Sequence, residues 1–230
     1  METPRQFAFD LGHPQALGRE DFLVTDGNRE AVGWLDRWPD WPSFSLVLHG
    51  PPGCGKSHLV RVFAQSRNAA AVNAAGLGTD DPPRLLSGRA VVAVEDCDRG
   101  VDETALFHLH NLARESGVGL LLTGRLPPAQ WPLSLPDLRS RILGGPAVAI
   151  APPDDALMAA VLVKLFADRQ LRVGQEVIAY LLTRLERSFD AARRVVAAID
   201  GLALSARRPV SVPLVAEVLR SFSPQENEKC

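Results

Sequence analysis

The sequence predicts an α/β fold in two parts: a parallel sheet covered by helices, and behind it a smaller all-helical domain. Three observations carry this reading. Short apolar segments without polar alternation, such as Val91-Val92-Ala93-Val94 and Leu120-Leu121-Leu122, recur with helical segments between them, as strands buried on both faces of a parallel sheet do. A glycine-rich run, Gly50-Pro51-Pro52-Gly53-Cys54-Gly55-Lys56-Ser57, joins the first such strand to a helix. After Pro152-Pro153 only helical periodicity remains.

Taken in order, residues 1–20 are irregular, broken by Pro4, Gly12, Pro14 and Gly18, with one apolar island at Phe7, Phe9 and Leu11. Ala31, Val32, Leu35 and Trp38 have helical spacing over 28–38, and Pro39 and Pro42 end that helix. Phe44–His49 reads as a buried strand, then come the glycine-rich turn and a helix over 56–66. Further strands are expected at Ala70–Asn73, Ala90–Val94, Gly119–Thr123 and Ala147–Ile150, with a helix over 102–116 and a short one through Leu135–Arg141. In the second part, Leu157, Val161, Leu162 and Leu165 form one stripe, and Val177, Ile178, Leu181, Leu182 and Leu185 the next. Ala192–Leu204 is a long helix, and Ser211 and Pro213 open a last one. The expected organisation is a leader at 1–20, an α/β base at 21–152, a helical domain at 153–222 and a polar tail at 223–230. Trp34, Trp38, Trp41 and Trp131 are read as packing residues.

The formal net charge is −2, so there is no global basic footprint of the kind that drives nucleic-acid binding. Cys54, Cys97 and Cys230 fit neither a zinc site nor a disulfide framework. The N-terminus lacks an apolar signal core, and no apolar run reaches the roughly 18 residues of a spanning helix. The expectation is a soluble, cytoplasmic protein without a membrane partner.

The spacing Gly50-x-x-x-x-Gly55-Lys56-Ser57, between a strand and a helix, is a phosphate-cradling loop. Its glycines let main-chain amides turn inward, and the following helix offers its positive end to the same phosphates. Lys56 supplies a point charge at the β- and γ-phosphates, the Ser57 hydroxyl is a magnesium ligand, and Cys54 is a small residue that fits the turn. ATP or ADP with Mg2+ is the implied ligand. A second acidic group belongs at the end of a neighbouring buried strand, which Glu95 and Asp96 supply. Glu95 is placed near the metal and Asp96 towards an attacking water, an inversion of the more usual Asp-Glu order. Thr123, ending the next strand, can bond a γ-phosphate or simply cap the Gly124 turn. Arg141, leaving the sheet on a short helix, can face a neighbouring subunit's nucleotide or form a surface salt bridge.

With these residues together, the chain resembles the DnaA/Hda branch of the AAA+ ATPases. Phe22-Leu23-Val24-Thr25-Asp26-Gly27-Asn28 looks like the segment this family folds over adenine, and Lys56-Ser57-His58-Leu59 is similar to its phosphate-loop exit. Leu120–Gly124 resembles its sensor 1 strand, and Leu135-Pro136-Asp137-Leu138-x-Ser140-Arg141 its arginine-finger box in the Hda form. Residues 154–222 would be the lid. Gln6-Phe7-Ala8-Phe9-Asp10-Leu11 looks like the sliding-clamp-binding peptide of Hda proteins, with Gln6, Phe7, Phe9 and Leu11 as contacts. The chain stops about eight residues after the lid, where DnaA would continue into a DNA-reading domain. The resemblance implies a regulator of replication initiation. With the clamp on DNA, it would stimulate ATP hydrolysis by DnaA, lending Arg141 to DnaA's site, with DNA contacted indirectly and a homodimer left open. One departure stands out: the family's sensor 2 arginine aligns with Asp190, while Arg193 and Arg194 lie about one turn further on. The alternatives are a self-sufficient ATPase resembling helicase loaders, and an adaptor that uses nucleotide only as a structural ligand.

Overall fold

The computed structural model describes residues 24–222. They form two compact units that part between Pro152 and Pro153.

The first unit runs α1 (Arg29–Asp36), β1 (Ser45–His49), α2 (Lys56–Arg67), β2 (Ala69–Asn73), α3 (Pro82–Leu86), β3 (Val91–Glu95), α4 (Glu103–Ser116), β4 (Gly119–Gly124), α5 (Pro136–Leu143) and β5 (Ala147–Ala149). Single 3-10 turns lie at Ala74–Gly76 and Pro128–Gln130. The five strands make one parallel sheet in the order β2-β3-β4-β1-β5. Strand residues point alternately to its two faces, as the period of two requires. Leu46, Leu48, Val91, Ala93 and Leu121 pack with α1 and α2, whereas Val47, Val92, Val94, Leu120 and Leu122 pack with α3, α4 and α5. Both faces are covered, which explains why the strands read as unbroken apolar runs.

Four expected strands are present with ends moved by one residue, and β3 begins one residue late and ends on Glu95. Helix α3 was not foreseen: it is one turn long, starts on Pro82 and Pro83, and is too short for a periodicity to show. The tryptophans pack as expected, but with a specific partner. A Cβ on Gly119 would lie 2.5 Å from the Trp38 ring, and one on Gly124 would lie 2.8 Å from the Trp131 ring. Glycines at the two ends of β4 thus make room for two indoles.

The second unit is all-helical: α6 (Asp155–Asp168), α7 (Gln175–Leu182), α8 (Phe189–Ala206) and α9 (Val212–Phe222). Asp154 caps α6 by accepting from the Leu157 amide at 2.7 Å, and Ser188 caps α8 through the Ala191 amide at 3.3 Å. Its core joins Met158, Leu162 and Phe166 of α6 to Val177 and Leu181, to Val195, Val196 and Ile199, and to Leu214, Val215 and Val218. The inward stripe of α6 therefore differs from the expected one: Met158 and Phe166 are buried, whereas Val161 and Leu165 are half-buried flanks. The spacing of four was legible, but two offset apolar rows satisfied it equally. Among the described residues, no helix is long and apolar enough to cross a membrane.

Candidate functional site

β1 lies between β4 and β5, and its C-terminal end opens into the glycine-rich loop. Gly50 donates to the Gly124 carbonyl at 3.3 Å, and a Cβ at Gly50 would lie 2.2 Å from the Ile150 carbonyl oxygen. Only glycine fits this passage between the neighbouring strand ends. Gly53 and Gly55 have φ of 71° and 106°, the left-handed region that a Cβ disfavours. Gly55 then caps α2, whose twelve residues begin at Lys56. The first amides of such a helix lack intrahelical acceptors and carry the positive end of its dipole.

Lys56 is buried at 7 % exposure. Its ammonium donates to the carbonyls of Gly50 at 2.7 Å and Pro51 at 3.0 Å, and lies 3.7 Å from the Cys54 sulfur. The ammonium expected on phosphate is here folded onto its own loop, so a phosphate oxygen would have to replace one of these carbonyls. Cys54 is buried. Burial pushes its thiol pKa up, and the nearby ammonium partly offsets that. His49, beside the loop, has its pKa lowered by burial first and by Lys56 second. Pro51, Pro52 and Ser57 are exposed, and His58 is half-buried. Main chain turned by two left-handed glycines, a helix N-terminus and an enclosed ammonium form a donor set that fits a polyphosphate.

Because the sheet is parallel, the ends of β3 and β4 reach the same edge as the loop, as ligand sites of open α/β sheets require. Thr123 is 1 % exposed, and its hydroxyl oxygen accepts the Asp96 amide at 3.2 Å. The Thr123 carbonyl accepts the Cys97 amide at 2.8 Å. Asp96 has φ of 60°, and its carboxylate accepts from the Asn73 side-chain amide at 3.2 Å. Glu95, the last residue of β3, is half-buried. Among the described residues, no group of three or more His, Cys, Asp and Glu is placed to hold a metal. The Ser57 hydroxyl, exposed in the first turn of α2, and the Glu95 carboxylate, at the end of β3, are the oxygen groups of this edge that would hold a magnesium beside phosphate oxygens.

Arg141 lies in the last turn of α5 and is half-buried. Its guanidinium lies 4.8 Å above the Phe107 ring and donates to the side-chain oxygen of Asn111. Both partners are on α4. Beneath them His110 is 3 % exposed and stands edge-on to Phe44 at 4.8 Å. Burial, then the charges of Arg141 and Arg114, lower its pKa to about 4. In the second unit, Arg193 is paired with Asp190 and Arg194 is exposed, both early in α8. Val24 is 51 % exposed. Gln6, Phe7, Phe9, Leu11 and Phe22 lie outside the described residues.

Residues 155–219 match the family model described as "Hda, lid domain". Beyond this stretch, the chain is similar to solved structures in fold alone. Its fold is that of domain III of the Thermotoga maritima replication initiation protein DnaA, at TM-score 0.77 and 16 % identity over 91 % of this chain and 98 % of that one. It is likewise similar to AMPPCP-bound DnaA from Aquifex aeolicus, at TM-score 0.62 and 18 % identity over 84 % and 66 % of the two chains. The Thermotoga maritima RuvB Holliday junction branch migration motor matches at TM-score 0.72 and 14 % identity, over 91 % and 72 %.

Sequence reasoning missed several supports of this edge. Asp98 accepts the amides of Arg125 at 2.8 Å and Leu126 at 3.1 Å, fastening the turn after β4. Its signal was present in the Glu95-Asp96-x-Asp98 spacing. Asn73, Phe107 and Asn111 had no sequence signal, because their partners lie 23, 34 and 30 residues away and only the fold brings them together.

Proposed function

We propose that this chain binds ADP or ATP with Mg2+ at the Gly50–Ser57 loop and, together with the sliding clamp on DNA, stimulates ATP hydrolysis by DnaA. Arg141 acts in the initiator's nucleotide site. The observation that carries this reading is Arg141 itself. It is an arginine on the α4–α5 surface of an Hda-like protein, held by neutral side chains. A guanidinium that keeps its charge can stabilise a transferring phosphoryl group across an interface, an effect worth roughly 10³–10⁵ in rate. Gln6, Phe7, Phe9 and Leu11 make the clamp contact, and Phe22 and Val24 belong to the adenine segment. Glu95, Asp96 and Thr123 form the chain's own hydrolytic edge, and Arg193 or Arg194 stands in for the sensor 2 arginine.

The test is a reconstituted assay of DnaA-bound ATP with this protein, clamp and DNA. Hydrolysis accelerates only when all are present, and Arg141→Ala abolishes the acceleration while keeping nucleotide affinity. Rapid hydrolysis by the chain alone, stimulated by single-stranded DNA, would instead identify a self-sufficient loader. Unchanged stimulation by the Arg141 variant would refute the finger.

A further inference from the structure

We infer that Phe107 and Asn111 are positioning residues for Arg141, a neutral seat that fixes the direction of the guanidinium without discharging it. The inference rests on the reading of Arg141 as a group acting in trans, and it concerns how that group is kept ready.

Three observations converge. First, the contacts are two and of different kinds. The ring of Phe107 lies 4.8 Å from the guanidinium carbon, and Asn111 accepts from one terminal nitrogen, Nη1. A ring face below and an acceptor at one edge fix both the tilt and the in-plane rotation of a planar cation. Second, the seat is neutral. Among the described residues Arg141 forms no ion pair, although Arg29, Arg84, Arg169, Arg187, Arg193 and Arg208 all pair with carboxylates. Asn111 is isosteric with aspartate, so the same geometry could have been built with a charge, which would have held the arginine more tightly. A carboxylate there would also compete with any incoming phosphate for the same donors. Third, the seat is rigid. Phe107 and Asn111 sit one turn apart on α4, a fourteen-residue helix whose other face buries Ala105, Leu106, Leu109 and Ala113 in the core. Helix α5 is tied into the same core by Leu138 and Ile142. Neither helix can shift without disturbing the sheet, so the seat holds its place relative to the rest of the base.

A cation held by a π face and one carbonyl-type acceptor keeps its remaining N–H donors for an outside anion. Ordering the long side chain in advance also removes that cost from the encounter with the partner. Losing the seat should therefore lower the rate reached at saturation, while leaving the chain's affinity for its own nucleotide unchanged.

The experiment compares full-length wild type with Arg141→Ala, Asn111→Ala, Asn111→Asp, Phe107→Leu and Phe107→Tyr. The readouts are clamp- and DNA-dependent hydrolysis of DnaA-bound ATP, over a range of concentrations of this chain, with fluorescent-ADP binding and melting temperature beside it. Expected are a maximal rate about 10- to 100-fold lower for Asn111→Ala and Phe107→Leu, as a roughly 1 Å misplacement produces. The half-saturating concentration and ADP affinity stay unchanged, and Phe107→Tyr is close to wild type. Asn111→Asp is the decisive variant. It preserves shape and strengthens the local contact, yet stimulation falls further than with alanine, because the guanidinium is neutralised. If Arg141→Ala is inactive but Asn111→Asp and Phe107→Leu stimulate like wild type, the seat is overturned and the trans-acting arginine stands. If Arg141→Ala stimulates normally, the underlying reading fails instead.

Discussion

Gly124→Ala tests whether the end of β4, the phosphate loop and Trp131 form one packed unit. The added Cβ would lie 2.8 Å from the Cζ2 and Nε1 atoms of Trp131 and 2.9 Å from Cε2. These are distances at which something must move. Trp131 cannot swing outward freely, since it is 3 % exposed and its indole N–H donates to the Leu126 carbonyl at 2.7 Å. Overpacking a filled core costs about 1–3 kcal/mol, and a lost hydrogen bond adds about 0.5–1.5 kcal/mol. The sum, about 2–4 kcal/mol, corresponds to a melting temperature lower by about 5–15 °C for a chain of this size. The displacement should also reach the loop, because the Gly124 carbonyl accepts the Gly50 amide at 3.3 Å. Thermal melts followed by circular dichroism, with fluorescent-ADP titration on the same samples, measure both effects. Adding Trp131→Phe, which removes the indole edge nearest the new methyl, should recover part of the loss, a coupling that two independent sites would not show. A Gly124→Ala protein that melts within ~1 °C of wild type would refute the packing argument, and one that melts early yet binds ADP normally would refute the transmission to the loop.

Three further predictions follow from the same geometry. Lys56→Ala should abolish fluorescent-ADP binding, since the enclosed ammonium is the loop's charged group; binding within a few-fold of wild type would exclude it as a phosphate contact. Cys97, 1 % exposed with its thiol pKa pushed far up by burial, should react with a thiol reagent only on unfolding. Cys54, inside the loop, should react slowly in native protein and be protected by ADP, as labelling followed by peptide mass analysis would show. His110 has a folded pKa of about 4 against an ordinary 6.5, so the unfolded chain binds the proton first as pH falls. Its neutral burial is favourable above about pH 6.5, and roughly 3 kcal/mol is lost as pH drops towards 4. Urea midpoints at pH 7 and 4.5 should therefore diverge less in His110→Leu than in wild type, with His49 contributing a smaller loss of the same sign.

Most of the fold was legible because its signals are local. Five apolar strands with helical segments among them, and a phosphate loop between the first strand and its helix, define a helix-covered parallel sheet before any distance is known. The strand order was not legible, because each strand is apolar on both faces and periodicity does not say which neighbour it pairs with. At the site, the residues with a chemical signature of their own, Lys56, Ser57, Glu95, Asp96 and Arg141, could be named from type and spacing. The residues that hold them could not. Asn73 at the end of β2 and Asn111 on α4 are ordinary polar residues in sequence, and they acquire a role only when the sheet brings β2 beside β3 and α5 beside α4. Met158 and Phe166 illustrate the same limit in the lid, where two apolar rows of α6 had equal claim to the core.

The end of β3 bears on which nucleotide this chain acts upon. Asp96 was placed towards an attacking water, and Thr123 towards a γ-phosphate. In the structure the Thr123 hydroxyl accepts the Asp96 amide, and the Asp96 carboxylate accepts from Asn73. The Thr123 hydroxyl thus holds the main chain of Asp96 and keeps its own proton to donate, the Asp96 carboxylate is tied to β2, and Asp96 takes a left-handed conformation, φ 60°, that costs a non-glycine residue of order 1 kcal/mol. A general base must reach the proton it removes, within about 2.6–3.2 Å directly or through one water. A carboxylate fixed by an amide at its side has less freedom to do so than one projecting from a strand end. Lys56, folded onto the Gly50 and Pro51 carbonyls, likewise has partners to exchange before it serves a phosphate. Arg141 also rests on neutral partners and forms no ion pair among the described residues, but its guanidinium has five N–H donors and gives one to Asn111, whereas Lys56 gives two of its three to its own loop. On the proposed reading, the guanidinium with most of its donors unspent is the group best prepared to meet a phosphate from outside, whereas Asp96 and Lys56 must first exchange partners.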